Sequence, residues 1–339
     1  MPEVGIINPS LMDVMNNTNA DGSIVRIIEA MEQMNPILRH ASYQECNNGS
    51  KHRTTIRTGI PTPAFRRYNQ GVQPSNTQEV PVEDTTGMIE DYLEVDAALA
   101  DLSGDASGFR ANKARGIMQG FNNFVAQQMF YGSTNITPEG FMGLSPRYSM
   151  LKSNANATAS ARQVVDAGGT GSDNASIWFV TWAPNACQLL YPRGSKVGLY
   201  HEDKGRRTKD FSDGGVQKKM EIYEDHFKWD IGLTDQDWRA NARVCNIDVS
   251  NLTKDASAGA DLLDIMIDAE SMLDISATAG GKTCIYVSRT IGAFLRKQAL
   301  NRSQGSVSFD EVAGKRVTMW GEYEVSMIDA LLETEARVV

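Results

Sequence analysis

RTTIRTGIPT, Arg53 to Thr62, runs outward as a basic, β-branched segment, and EVPVEDTTGMIEDYLEVD, Glu79 to Asp96, comes back as an acidic one. Residues 51–67 hold five Lys or Arg and no acid; residues 79–105 hold nine Asp or Glu and no base. Thr54, Thr55, Ile56 and Thr58 favour a pleated strand. Pro61, Pro63 and Pro74 suit an edge or free ribbon better than a central strand. Between the two halves lies YNQGVQPSNTQ, Tyr68 to Gln78, a polar tip in which Gly71 and Pro74 are placed to shape a turn. An isolated two-stranded ribbon is marginal in water. One this long must therefore lie on its own body or on a neighbour. Cross-strand charge pairs contribute only about 0.2–1 kcal/mol each. Charge alone thus fits two solvated strands as well as a basic half meeting another molecule's acidic surface.

Working outward, residues 106–131 read as one helix, with Phe109, Ile117, Phe121, Phe124, Val125 and Met129 at three- and four-residue steps. Ser107 is the candidate cap, Gly132 the stop, and Pro138 lies beyond. Ile177 to Trp182 and Cys284 to Val287 read as buried strands. Residues 256–276 form a second helix, with Leu262, Ile265, Met266, Ala269, Met272 and Leu273 inward. Ser288 caps a third, whose inner face is Ile291, Phe294, Leu295 and Ala299. On the N-terminal side, Asp21 or Ser23 begins a helix carrying Val25, Ile28, Met31 and Met34. Strands and helices mix without β-α-β alternation, which predicts an α+β fold.

The 339 residues suffice for one large or two ordinary domains, and the formal net charge of -9 argues against a protein that coats nucleic acid. Cys46, Cys187, Cys245 and Cys284 are widely spaced with no histidine at ligand spacing, predicting buried free thiols in a reducing compartment and no zinc site. No secretion signal opens the chain and no apolar run is long enough for a bilayer.

The chemistry-bearing motifs are weak. AGGKT, Ala279 to Thr283, resembles the end of a phosphate loop, but Ser276 stands where the first glycine is needed; a glycine turn after a helix is the plainer reading. His201, Glu202 and Asp203 are consecutive and do not converge. Asp235 and Asp237 read as a solvated strand face, and Asp261, Asp264 and Asp268 as the wet side of a helix. Arg193, Lys196, Lys204, Arg206, Arg207 and Lys209 could touch phosphate, yet Glu202, Asp203 and Asp210 dilute them; salt bridges to acidic neighbours fit better. No catalytic constellation emerges, so no enzyme activity, cofactor or metal is expected.

The order of parts carries a resemblance. RTTIRTGIPT, NQGVQP, GMIEDYLEVDAALADLSG, FRANKARGIMQGF, FYGST, PEGFMGLSPRYS, DAGGTGSDNASIW, PRGSKVGLYHED and DALLETEARVV follow one another. From about residue 37 to the C-terminus the chain resembles the major capsid proteins of short-tailed bacteriophages with the HK97-like fold. The resemblance implies an N-arm (1–50), an extended hairpin or E-loop (51–97), and a peripheral domain (98–150) whose spine helix is 106–131. Strands from about 217–250 would complete the peripheral domain, and 151–339 would be mainly axial domain. It implies pentamers and hexamers of an icosahedral shell around double-stranded DNA, a scaffolding protein during assembly, a portal, and in some shells a cement protein. The location would be the virion, and the host cytoplasm during assembly. DNA would lie against the inner face without sequence-specific binding, and no membrane is involved. An encapsulin-like cellular compartment is the alternative. Arg57, Arg66, Arg67, Tyr68, Asn69, Gln70, Gln73 and Asn76 are the expected inter-subunit contacts of the E-loop. Some relatives cross-link through an E-loop lysine, but none occurs from His52 to Asn112, so no such isopeptide bond is expected. The stretch before the ribbon is expected to be too short for a large fused scaffold.

Overall fold

The computed structural model describes residues 35–102, 104–213, 216–274, 280–301, 307–312 and 315–339. The helix expected at Val25 to Met34 lies outside them. The strands are β1 (Tyr43–Glu45), β2 (Lys51–Gly59), β3 (Gln78–Asp96), β4 (Val164–Asp166), β5 (Asn174–Trp182), β6 (Cys187–Tyr191), β7 (Tyr200–Asp213), β8 (Val216–Asp235), β9 (Ala242–Asp248), β10 (Lys282–Val287), β11 (Val307–Val312), β12 (Lys315–Trp320) and β13 (Tyr323–Met327). The helices are α1 (Ile37–His40), α2 (Ala97–Leu102), α3 (Ala106–Tyr131), α4 (Leu144–Arg147), α5 (Leu262–Met272) and α6 (Arg289–Asn301). The mixture is α+β, as the sequence predicts.

The chain forms two compact units, one of them containing Asn35–Gly87, Gln127–Ser195 and Ile231–Val339. Its centre is β5, in which every residue is buried. β10 and β9 both run antiparallel to β5, and β13 lies parallel to β10. A strand covered on both faces is uniformly apolar or internally hydrogen-bonded, and IWFVTW fits that demand. Helices α5 and α6 lay Leu262, Leu263, Met266, Ala269, Ile291 and Leu295 on this sheet. Ser288 caps α6, accepting from the Ile291 amide at 3.3 Å.

Several local expectations change. The second helix is shorter than 256–276: Asp261 is its cap, accepting from the Asp264 amide, and the backbone is extended at Leu273. The cap of α3 is Asp105, not Ser107; Asp105 accepts from the Gly108 amide at 3.0 Å and from the Ser107 hydroxyl. Gly280, at φ +78°, makes the glycine turn that the sequence favours for AGGKT and leads into β10; the stretch before it, residues 275–279, lies outside the described residues. Asp235 is buried rather than solvated: the Tyr148 hydroxyl donates to it at 2.6 Å and the Asn241 amide at 3.0 Å. Asp237 instead caps the short turn Trp238–Ala240. A bend after β8 separates the two carboxylates, which a uniform strand period cannot anticipate. The four cysteines are free and buried.

The second unit contains Met88–Ala126 and Lys196–Asp230 among its described residues. β7 and β8 pair antiparallel from Tyr200↔Lys228 to Asp213↔Val216, with a register shift between Asp203 and Gly205. Gly205 adopts φ +73°, the left-handed conformation a bulge of this kind requires. Arg110 of α3 is held over this hairpin, donating to Asp203 at 2.6 Å and Asp225 at 2.8 Å and covering the Tyr223 ring. His201 reaches the same Asp225, at 3.0 Å. The basic block is likewise paired at home: Arg206 with Glu221, Arg207 with Glu224, Lys209 with Glu94. No described helix is long and apolar enough to cross a membrane.

Candidate inter-subunit interface

β2 and the first half of β3 pair antiparallel from Lys51↔Thr85 to Gly59↔Gln78, forming the shaft of an arm. The charge division of the sequence becomes cross-strand pairing: Arg53 meets Glu83 at 3.8 Å and Arg57 meets Glu79 at 3.4 Å. These pairs are solvent-exposed, so each contributes no more than about 1 kcal/mol. They set register rather than hold the arm rigid.

The root is built differently. Asp84 is buried, accepting from Arg147 at 2.8 Å and from the Thr234 hydroxyl at 2.7 Å. Arg147 also donates to the carbonyls of Met142 and Leu233. Burial would lower the Arg147 pKa, but the charges of Asp84 and Asp235 outweigh it and leave it raised, so the guanidinium stays charged. Gly232 lets β8 pass close to the arm: a Cβ there would stand 2.7 Å from the Thr85 carbonyl oxygen. The root is thus fixed by a desolvated ion pair and close backbone packing.

Beyond Gly59 no strand partner is present until Gln78. Arg57, Arg66, Arg67, Tyr68, Asn69, Gln70, Gln73 and Asn76 are all exposed. The tip turn is centred on Asn69 at φ +63°, not on Gly71, with the Gln70 amide donating to the Arg67 carbonyl at 3.2 Å. Asn tolerates this left-handed conformation better than most residues. Arg66 closes the loop by donating from Nε to the Gln70 carbonyl at 2.8 Å. The structure therefore brings together Arg66 to Gln70, pairs Arg57 with Glu79, and holds Asn76 in a local bond to the Thr77 amide.

The sequence reading missed two features. Ile60 and Phe65 are 85 % and 108 % exposed, beside the expected contact residue Tyr68 at 99 %, so the arm exposes apolar groups as well as amides. Phe65 was visible as an aromatic in a proline-rich stretch, and that was the only signal. Asp84, Arg147 and Thr234 had none, because Asp84 is one acid among nine until the fold buries it.

Three large apolar side chains thus stand in water on an arm whose root is buried. The family model of the major capsid protein GP7 matches residues 19–339. This chain belongs to that capsid family. The capsid protein is similar to a chain of the near-atomic structure of bacteriophage Epsilon15, with 42 % identity and a TM-score of 0.79, covering 100 % of this chain and 99 % of that one. Its fold is the HK97-like fold expected from the sequence. The bacteriophage JBD30 capsid is 10 % identical at TM-score 0.47, covering 89 % and 93 % of the two chains. An encapsulin of Synechococcus elongatus is 9 % identical at 0.41, covering 70 % and 98 %. These two are too distant to bear on function. No curated protein matches the chain. The capsid protein is a structural component of a phage shell, and it assembles into shell oligomers.

Proposed function

We propose that the arm, residues 51–97, is the element by which each capsid protein grips its neighbour within hexamers and pentamers. The single observation that supports this is the unsupported tip, which exposes Ile60, Phe65 and Tyr68 between basic Arg57, Arg66 and Arg67. β2 is also a terminal strand, with β3 on one side only. Natural proteins rarely leave such an edge and such apolar groups uncovered. Arg57, Arg66 and Arg67 face acidic groups of the adjoining copy, and the amides of Asn69, Gln70 and Gln73 hydrogen-bond across the boundary. Asn76 adds its amide N–H groups.

In this reading residues 1–50 are the N-arm, 98–150 with about 217–250 the peripheral domain, and 151–339 mainly the axial domain. The shell encloses double-stranded DNA against its inner face, forms in the host cytoplasm around a scaffolding protein, and carries a portal. The protein has a structural role and no catalytic one. The match to the capsid family over residues 19–339 favours this over an encapsulin-like compartment.

The test is replacement of residues 60–77 by a short Gly-Ser turn, followed by electron microscopy of the chain expressed with its scaffold. Folded protein without shells is expected. Shells of normal number and heat resistance would overturn the proposal.

A further inference from the structure

Cys284 and Glu324 are direct partners in the parallel pairing of β10 and β13, so their side chains leave the sheet on the same face. His40, the last residue of α1, is brought over that face. One of its ring nitrogens, the Cys284 Sγ and a Glu324 carboxylate oxygen all lie within 4.8 Å of one another. We propose that these three side chains form a binding site for one zinc-like divalent cation, with a fourth position open to water.

The spacing fits the ion. His40 Nε2 stands 3.4 Å from Glu324 Oε1. Two ligands at about 2.0–2.1 Å from a tetrahedral zinc are about 3.3–3.4 Å apart. The donor set is imidazole, thiolate and carboxylate, a combination that selects zinc over magnesium or calcium.

The surroundings orient each ligand. Tyr286 OH lies 3.2 Å from His40 Nδ1 and also accepts from Trp182 Nε1 at 2.8 Å. With the His40 proton on Nδ1, toward Tyr286, Nε2 carries the lone pair. Lys282 donates to Glu324 Oε2 at 2.7 Å and keeps the carboxylate ionised, while Oε1, which accepts only a long bond from the Ser326 hydroxyl at 3.4 Å, is the ligand atom. Such supporting bonds are what fix metal ligands in working sites. Cysteine ligates as the thiolate, so binding releases the Cys284 thiol proton. The thiol proton leaves to solvent as the sulfur–metal bond forms, with no change of oxidation state.

His40 lies far from the other two donors in sequence, which is why cysteine and histidine spacing predicts no such site. The experiment is titration of the purified full-length capsid protein with Co2+ and then Zn2+ under reducing conditions. One Co2+ per chain with a thiolate-to-metal charge-transfer band, displaced by Zn2+, is expected. Cys284→Ser should abolish the band, while Cys187→Ser, a second buried thiol, should keep it. Tyr286→Phe should weaken binding by about 10–100-fold. Should Cys284→Ser fold poorly, His40→Gln serves the same purpose, since it retains the thiol and removes an imidazole ligand. No band, a sub-stoichiometric one, or one that survives both Cys284→Ser and His40→Gln overturns the site.

Discussion

Arg147 donates to Asp84 across 2.8 Å, and this buried pair ties the root of the arm to the turn of helix at Leu144–Arg147. The Thr234 hydroxyl, on Asp84, and the carbonyls of Met142, Gly143 and Leu233, on Arg147, complete its polar shell. Breaking one side of such a pair leaves an uncompensated buried charge.

Asp84→Ala should therefore lower stability by about 3–5 kcal/mol. Denaturant unfolding of the purified protein reads this directly. The double variant Asp84→Leu with Arg147→Met should recover much of the loss, because a packed apolar pair needs no compensation. Equal losses in both variants would show that the charge pairing is not what matters.

Gly232→Ala would place a methyl group 2.7 Å from the Thr85 carbonyl oxygen. Backbone must shift to relieve it, at a cost of about 1–3 kcal/mol. A melting temperature equal to wild type would refute the close approach at the arm's root.

Asp235 predicts a pH dependence of unusual sign. Burial, its leading cause, raises the carboxyl from 3.8 to about 6. Between those values the folded state holds more protons than the unfolded state, so stability from this group falls as pH rises. The full change is on the order of 3 kcal/mol. Wild type should gain on Asp235→Asn as pH is lowered from 7 to 5. Parallel pH profiles for the two proteins would contradict it.

Arg57→Glu, Arg66→Glu and Arg67→Glu should separate folding from assembly. Arg57 and Glu79 are both exposed, so the fold loses no more than about 1 kcal/mol when their pair is reversed. Shell yield and heat resistance should fall, with the circular dichroism of the subunit unchanged. Normal shells from the triple variant would sink the role given to these arginines.

A denaturing gel of mature particles should show single chains. No lysine occurs from His52 to Asn112, so beyond Lys51 at its root the arm has no side-chain amine with which to form an isopeptide bond. A ladder of covalent multimers would reverse that expectation.

The long helix at 106–131 was legible to the residue, because Phe109, Phe121, Val125 and Met129 repeat at helical spacing and no proline interrupts them. IWFVTW was equally legible as a buried strand, since five of its six residues are large and apolar and the hydroxyl of Thr181 is bonded inside, to the Ala240 carbonyl. The turn at Asn69 was misassigned to Gly71, since glycine permits a left-handed conformation but does not require one. The exposure of Arg57, Arg66, Arg67, Tyr68, Asn69, Gln70, Gln73 and Asn76 was legible as well, because the arm has no apolar face of its own to bury them.

Sequence alone determined the α+β class, the paired basic and acidic strands, and the absence of a lysine from His52 to Asn112. Those follow from composition and from periods of two and 3.6 residues, which are local. Only the tertiary structure decided which acids are buried. Asp84 meets Arg147, Asp235 meets Tyr148, and Glu324 meets His40 across long stretches of chain. A carboxylate's role is set by what surrounds it, and that environment exists only after distant segments have packed.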